Sequence, residues 1–454
     1  MADRLSASAL GCGIALAAVL LLAAPAAAQS APEQCGAKDA ASPDLRITAC
    51  TALIDQEAEA PAQRAAAFGN RADAYFLRKD YDRAIADYDQ AIRLDPANAG
   101  YYAGRGRPYR NKRDFDRALA DFNKAIELDP HLAIAFGGRG ATYFLKKDDD
   151  RAIADFTEAL RLDPKLAVAF ADRGLAYAHK HDLDHAIADY DEAIRLNPAM
   201  EGAFRVRGFA YARKNDFDRA IADFSAAIRL NPTIAAAFAG RGLAYNYKHE
   251  YARAIPDFDK AIQLKSNDAS LFHYRGIAYQ NIGDIDRAIA DYDEAIRLDP
   301  NGADAFAKRG LAYAGRKDFD RAVADYDVAI RLQPTAELFF LRGVAYQENN
   351  IPVRAIADFS EAIRLQPTAV RFFARGFAYS RAGDFDRAIA DYDAALALDA
   401  RLAGARYGRA LARWQKGERW SALGDAAWAT GTAARNKISE YVARWWPSGP
   451  PPHP

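Results

Sequence analysis

A sentence of thirty-four residues recurs down this chain, and no other feature constrains its folding as tightly. One copy reads VAFADRGLAYAHKHDLDHAIADYDEAIRL from Val168 to Leu196, and the next reads EGAFRVRGFAYARKNDFDRAIADFSAAIRLNP from Glu201. Prolines close successive copies at Pro96, Pro130, Pro164, Pro198 and Pro232; Ser266 takes the next place, and Pro300 and Pro334 resume the spacing. A unit this short cannot bury an apolar face alone, so it must stack on its neighbours into one elongated domain. Such a domain works by presenting a long surface, which makes binding the first function to consider.

Each copy holds two helical patterns. The first carries Phe170, then Arg173-Gly174, then Ala176-Tyr177; the second carries Ala186, Tyr190 and Ala193-Ile194. Spacings of three and four put these apolar residues on one stripe of a helix. A polar turn separates the two, and the closing Asp-Pro or Asn-Pro ends the second. The unit is therefore a helical hairpin, with Gly174 and Ala186 small so that the two helices approach closely.

Two charges recur with the apolar stripe. Arg precedes the small residue of every first helix, from Arg71 to Arg375, and Asp precedes the core aromatic of every second helix, from Asp87 to Asp391. Residues that contact a varied ligand should vary between units, whereas packing residues should not. We read these as an intramolecular Arg–Asp ladder whose arginine stems cover apolar surface. The alternative is a basic stripe facing an acidic ligand.

An aromatic, then Gly, Tyr, Ala, a second aromatic and Pro at these intervals resembles the tetratricopeptide repeat. The small residue runs from Ala72 and Gly106 to Gly376 and the tyrosine from Tyr75 to Tyr379, giving ten units over residues 65–402. Phe replaces the family's usual opening Trp (Tyr in the second unit), and Arg replaces the usual Leu before Gly. The resemblance implies an all-α solenoid. Its form would be a right-handed superhelix of about ten hairpins, capped by helices at both ends, with first helices lining an inner groove. It also implies a scaffold that binds other proteins.

The ends and irregularities carry their own expectations. Asp44 to Ile54 aligns with a second helix, so residues 29–64 should form an N-terminal cap. Residues 403–446 read as divergent closing helices, with Trp420, Trp428, Trp445 and Trp446 sealing the last apolar face, and 447–454 is a proline-rich tail unable to fold alone. The spans Pro334–Pro367 and Pro367–Ala400 are each one residue short, with the loss between the Pro and the Arg-Gly. Pro108 and Pro256 fall inside helical patterns, where each should kink the helix or delay its start.

Residues 1–28 follow another logic. Arg4, an apolar stretch from Gly11 to Ala24, and Ala26-Ala27-Ala28 before Gln29 have the order of a secretory signal peptide cleaved after Ala28. An uncleaved membrane anchor is the alternative; a lipoprotein site is disfavoured because Cys12 precedes most of the apolar stretch. Nothing later approaches a membrane span, so the mature chain is expected to be periplasmic or secreted, without a transmembrane segment. Cys35 and Cys50 then remain as an even pair in an oxidising compartment, either bridged or as two buried thiols.

No catalytic constellation emerges, and no cofactor is implied: there is no phosphate loop, His-Glu-x-x-His or Cys-x-x-Cys. His179, His181 and His185 cluster, but His181 falls in the turn and His185 takes the place Arg holds elsewhere, so no metal site is expected. Lysine plus arginine and aspartate plus glutamate both total 61, leaving no net field to gather nucleic acid. The partner is therefore expected to be another protein or a peptide, bound in the groove. A structural part of an envelope assembly, such as polysaccharide-export or outer-membrane machinery docking through the convex face or an end, is the second reading. The family's carboxylate clamp and asparagine ladder are both missing, since Gly69, Ala103, Gly104 and Gly138 stand at their positions. The first helices instead offer Phe76, Leu77, Phe144, Phe209, Tyr247, Phe340, Phe373 and Phe377, interspersed with Arg107, Arg110, Arg205, Arg213 and Arg381. These are the types that anchor interfaces, though some of them would be core if they touch the next first helix.

Overall fold

The computed structural model describes residues 30–37, 42–56, 60–418 and 421. The signal segment 1–28, the tail 447–454 and most of the closing segment, including Trp420, Trp428, Trp445 and Trp446, lie outside the described residues. Among the described residues all regular structure is helical, in twenty-three α-helices with no strand. None of them is long and apolar enough to cross a membrane.

The chain divides into two compact units, residues 1–182 and 183–454. The first contains α1 (Ala31–Gly36), α2 (Pro43–Ile54) and three hairpins: α3 (Pro61–Leu77) with α4 (Tyr81–Leu94), α5 (Ala99–Asn111) with α6 (Phe115–Leu128), and α7 (Ala133–Leu145) with α8 (Asp149–Leu162). It ends with α9 (Ala167–His179). The second begins with α10 (Leu183–Leu196), followed by α11 (Glu201–Arg213) with α12 (Phe217–Leu230) and α13 (Ala235–Tyr247) with α14 (Tyr251–Leu264). Next come α15 (Ala269–Asn281) with α16 (Ile285–Leu298) and α17 (Ala303–Gly315) with α18 (Phe319–Leu332). It finishes with α19 (Ala336–Glu348) with α20 (Pro352–Leu365), α21 (Ala369–Arg381) with α22 (Phe385–Leu398), and α23 (Ala403–Gln415). Within each unit every second helix packs on the first helix that follows it.

The turn inside a hairpin takes one residue into left-handed backbone, such as Lys79 (φ 62°), Arg113 (φ 62°) and Lys147 (φ 63°). In most hairpins an aspartate follows and caps the second helix, as Asp80 accepts the Arg83 N–H and Asp114 that of Arg117; Glu250 before α14 and Ile351 before α20 make no such side-chain cap. The one-residue deletions fall in the loops between hairpins. Three residues link α18 to α19 and α20 to α21 where four link α4 to α5, and Thr335 and Thr368 cap the helices that follow.

Within the hairpins from α5–α6 onward in each unit, the core aromatic of the second helix is buried against the glycine of its own first helix, as Phe122 is on Gly106 and Phe258 on Gly242. A Cβ on Gly106 would stand 2.8 Å from the Phe122 ring, closer than real Cβ atoms approach, so only glycine admits the ring there. Neither proline delays the start of its helix. Helix α14 starts at Tyr251, in register with its counterparts, and both α5 and α14 run through their prolines. Pro256 and Ala252 are exposed, so the carbonyl left without a partner turns to water; Pro108 is buried, and its ring joins the core in exchange for the lost bond.

Cys35 and Cys50 are bridged, with Cα atoms 4.8 Å apart, and lie in a small core with Ala49 and Ala67. The bond ties α1 to α2, and closing a loop of this length stabilises the cap by about 3 kcal/mol.

Candidate protein-binding groove

The repeat charges are spent on packing. Arg71, Arg105 and Arg139 in the first unit, and Arg207, Arg241, Arg275, Arg309, Arg342 and Arg375 in the second, each grip the Asp of their own hairpin through Nε and Nη2. All eighteen distances fall between 2.6 and 2.9 Å. The third nitrogen reaches back to the preceding second helix: Arg105 Nη1 to Asp89 at 2.5 Å, Arg275 to Asp259 at 2.7 Å, Arg71 to Thr51 at 2.9 Å. One planar fork thus locks a hairpin and staples it to its neighbour. The hydrogen bond to Asp121 holds Arg105 above the ordinary guanidinium range, while burial raises the Asp121 carboxyl and Arg105 opposes it. These arginines form a ladder and not a basic stripe.

A second set of rungs joins the end of a first helix to the start of the preceding second helix: Lys112 to Asp82, Lys146 to Asp116 (3.1 Å), Lys248 to Asp218 (2.5 Å). Where Ala252 replaces the aspartate, Ile282 replaces the cation, and Val353 is matched by Ala382 in the same way. Both members are lost together, as expected of charges that exist for each other.

The cleft-forming face of a first helix is visible in α3, where Gly69, Asn70, Asp73, Phe76 and Leu77 line one wall. The sequence-derived candidates divide along it. Leu77 and Tyr247 are 59% and 62% exposed, and Phe209 is 36% exposed with its edge on Phe224. Tyr247 lies flat on Phe217, 5.3 Å between centroids, so a rigid aromatic pair is presented to solvent. Phe76, Phe144, Phe373 and Phe377 are half-buried. Phe340 is a correction: at 9% exposure it belongs to the core with Phe359, Val370 and Ala374, because the next first helix covers it.

Of the arginines, Arg107 pairs with Asp73, donates to Tyr88 Oη (3.0 Å) and lies over the Phe76 ring (4.9 Å). Arg205 donates to Glu201 on its own helix (3.1 Å), and Arg381 donates to Asn350 Oδ1 (2.8 Å); Arg213 is exposed. Arg110 is held below its ordinary range by burial, and Asp172 of α9 is raised to about 6 by burial, with Arg110 pulling it back. His179 meets Asp149 at 2.6 Å, His181 sits in the turn with φ 64°, and no cluster of three potential metal ligands occurs among the described residues.

The most developed cavity is a cleft of about 530 Å³ in the first unit, between α2, α3, α5 and the start of α7. Arg46 of α2 lines it, and this residue escaped the reading of the sequence. A positive residue on the inward stripe of the cap helix, beside an outward Leu45, was the available signal.

Sequence models of the tetratricopeptide repeat match residues 65–98, 104–167, 167–200, 206–269, 275–337, 318–370 and 370–401. No curated protein matches the chain. Solved structures that align include YrrB, described as a tetratricopeptide repeat protein with an unusual peptide-binding site, at 25% identity over 43% of this chain and 97% of that one, with a TM-score of 0.38. A tetratricopeptide repeat protein from Parabacteroides merdae aligns at 18% identity over 54% and 98%, TM-score 0.42, and MamA at 28% over 35% and 94%, TM-score 0.34. Proteins of this repeat type are typically non-catalytic scaffolds. With matches in register over most of residues 65–401 and helical hairpins beneath them, the chain belongs to the tetratricopeptide repeat family.

Proposed function

We propose that this protein is an exported, non-catalytic scaffold, periplasmic or secreted, that captures a segment of another protein along the inner face of its first helices. The observation that carries the groove is the set of large apolar side chains left in solvent there: Leu77, Leu145, Phe209 and Tyr247, while the charges around them are absorbed by the ladder. Rigid aromatics with little entropy to lose are effective anchors. Export is supported by the basic, apolar and small-residue order of residues 1–28 and by the Cys35–Cys50 bridge, which suits an oxidising compartment.

Crosslinking capture from the cell envelope tests the reading. Replacing Phe209 and Tyr247 by Ala should weaken partner capture at least tenfold with the helical signal unchanged; unaltered capture would move docking to the convex face or an end. Intact-mass analysis should find the chain beginning at Gln29 outside the cytoplasm, and recovery from the cytoplasm would remove export.

A further inference from the structure

The cleft between α2, α3 and α5 contains a charge that the described residues leave unanswered. Arg46 is 2% exposed while its neighbour Leu45 is 56% exposed, the reverse of what burial favours. Its one hydrogen bond among the described residues runs from Nη2 to the Asn70 carbonyl at 3.3 Å, and its buried Nε has no partner. The ladder arginines of the repeats, such as Arg105 and Arg275, each hold a carboxylate with two nitrogens.

The other charges of the cleft cancel. Asp73 Oδ1 accepts from Arg107 and from the Tyr88 hydroxyl (2.5 Å), so these two charges pair with each other rather than with Arg46. The walls are apolar at Phe76, Leu77 and Ile134, the last two largely exposed. Its floor is closed by the chain's own rings: a Cβ on Gly69 would stand 2.7 Å from Tyr101, and one on Gly104 2.5 Å from Tyr88, so both tyrosines pack directly on backbone. A cleft of about 530 Å³ is of the size that holds small ligands or a few peptide side chains.

We propose that this cleft binds a carboxylate carried by an acidic residue within an extended segment of the partner, flanked by an apolar residue. A planar carboxylate fits the guanidinium fork, and its single charge matches the single positive charge left over, which a dianionic phosphate does not. Apolar flanks match Phe76, Leu77 and Ile134. The inference rests on the groove reading above and adds the chemistry of one anchor.

The test uses the oxidised, exported protein and a fluorescein-labelled peptide, Ala-Leu-Glu-Leu-Ala with an amidated C-terminus, followed by anisotropy. The Glu peptide should bind at least tenfold tighter than its Gln counterpart, and Arg46→Met should abolish that difference. Equal affinities for the two peptides, or no binding of either, would overturn the proposal. Free glutarate should compete only weakly; competition equal to the peptide's would keep the carboxylate but overturn the peptide as its source. A second readout covers the fold. Arg46→Met should raise the melting temperature, since a buried charge without a partner is replaced by a side chain of similar length. A lower melting temperature would mean that the chain itself already satisfies Arg46, and the proposal would fall. If Phe209 and Tyr247 substitutions weaken capture of the native partner while Arg46→Met does not, the groove stands and this anchor does not.

Discussion

Arg275 and Arg46 are both largely removed from water, yet they live by opposite rules. Arg275, in the body of the second unit, spends all three donor nitrogens on Asp291 and Asp259. Arg46, in the N-terminal cap, has one carbonyl. The repeat body is a lattice in which charges are matched from copy to copy, down to paired losses such as Ala252 with Ile282, with Asn349 standing in for the cation opposite Asp320. The cap is a single occurrence held by a disulfide. An unmatched arginine therefore stands out in the cap against the ladder of the body, where losing a rung would weaken the hairpin and its junction with the next.

The sharpest way to break this contrast is to make the body resemble the cap. Asp291→Asn leaves Arg275 without its bidentate partner in a buried site and should cost about 3 kcal/mol, read as a lower denaturant midpoint. A loss below about 1 kcal/mol would mean the ladder is ornamental. Reduction of Cys35–Cys50 should release about 3 kcal/mol of constraint, confined to the cap. Hydrogen exchange should then speed up in α1 and α2 and stay unchanged in α16. In the unreduced protein a thiol titration should find no free group once the segment before Gln29 is removed, and one, Cys12, if it is kept.

A smaller effect tests the groove of the first unit. Asp172 titrates near 6 in the fold against an ordinary 3.8, because burial disfavours its charge. Below pH 4 it is protonated in both states, so Asp172→Asn should be neutral. Between pH 4 and 6 the unfolded carboxyl ionises while the folded one is held protonated by burial, so the native chain loses stability until the folded group also ionises near 6. The variant should gain steadily between pH 4 and 6 and level off above, by about 1 kcal/mol after allowance for solvent screening. A flat difference with pH would remove the buried-carboxyl account. The smallest change is in the turns: Arg113→Gly should stabilise by about 0.5 kcal/mol, since a left-handed φ of 62° costs less without a Cβ.

Much of the body was legible because it repeats. Ten copies in one register made the hairpin, the small-residue contacts and the Arg–Asp pairing readable, as did the helical character of residues 44–54. Groove membership was harder to read. Phe340 and Phe373 hold equivalent places, one span apart, yet Phe340 is core and Phe373 half-buried. What differs is the neighbour: Val370 and Ala374 join the Phe340 cluster, whereas Phe373 edges a cluster completed by Leu402 and Ala405. Arg46 left only a faint signal, its place on the inward stripe beside Leu45, because the cap occurs once and offers no other copy to compare.

By itself the sequence determined what depends on period and local chemistry: the helices and their order, that the repeat arginines answer the repeat aspartates, and the family. Periodicity encodes these because each is a contact between positions at a fixed separation. Tertiary structure alone decided that the third nitrogen of the ladder arginines staples the preceding hairpin, that Pro108 and Pro256 sit within unbroken helices, and that Arg46 lines a cleft while bonding no carboxylate among the described residues. These depend on how much space and water a neighbouring helix leaves. That is set by packing across the stack, and no single stretch of chain carries it.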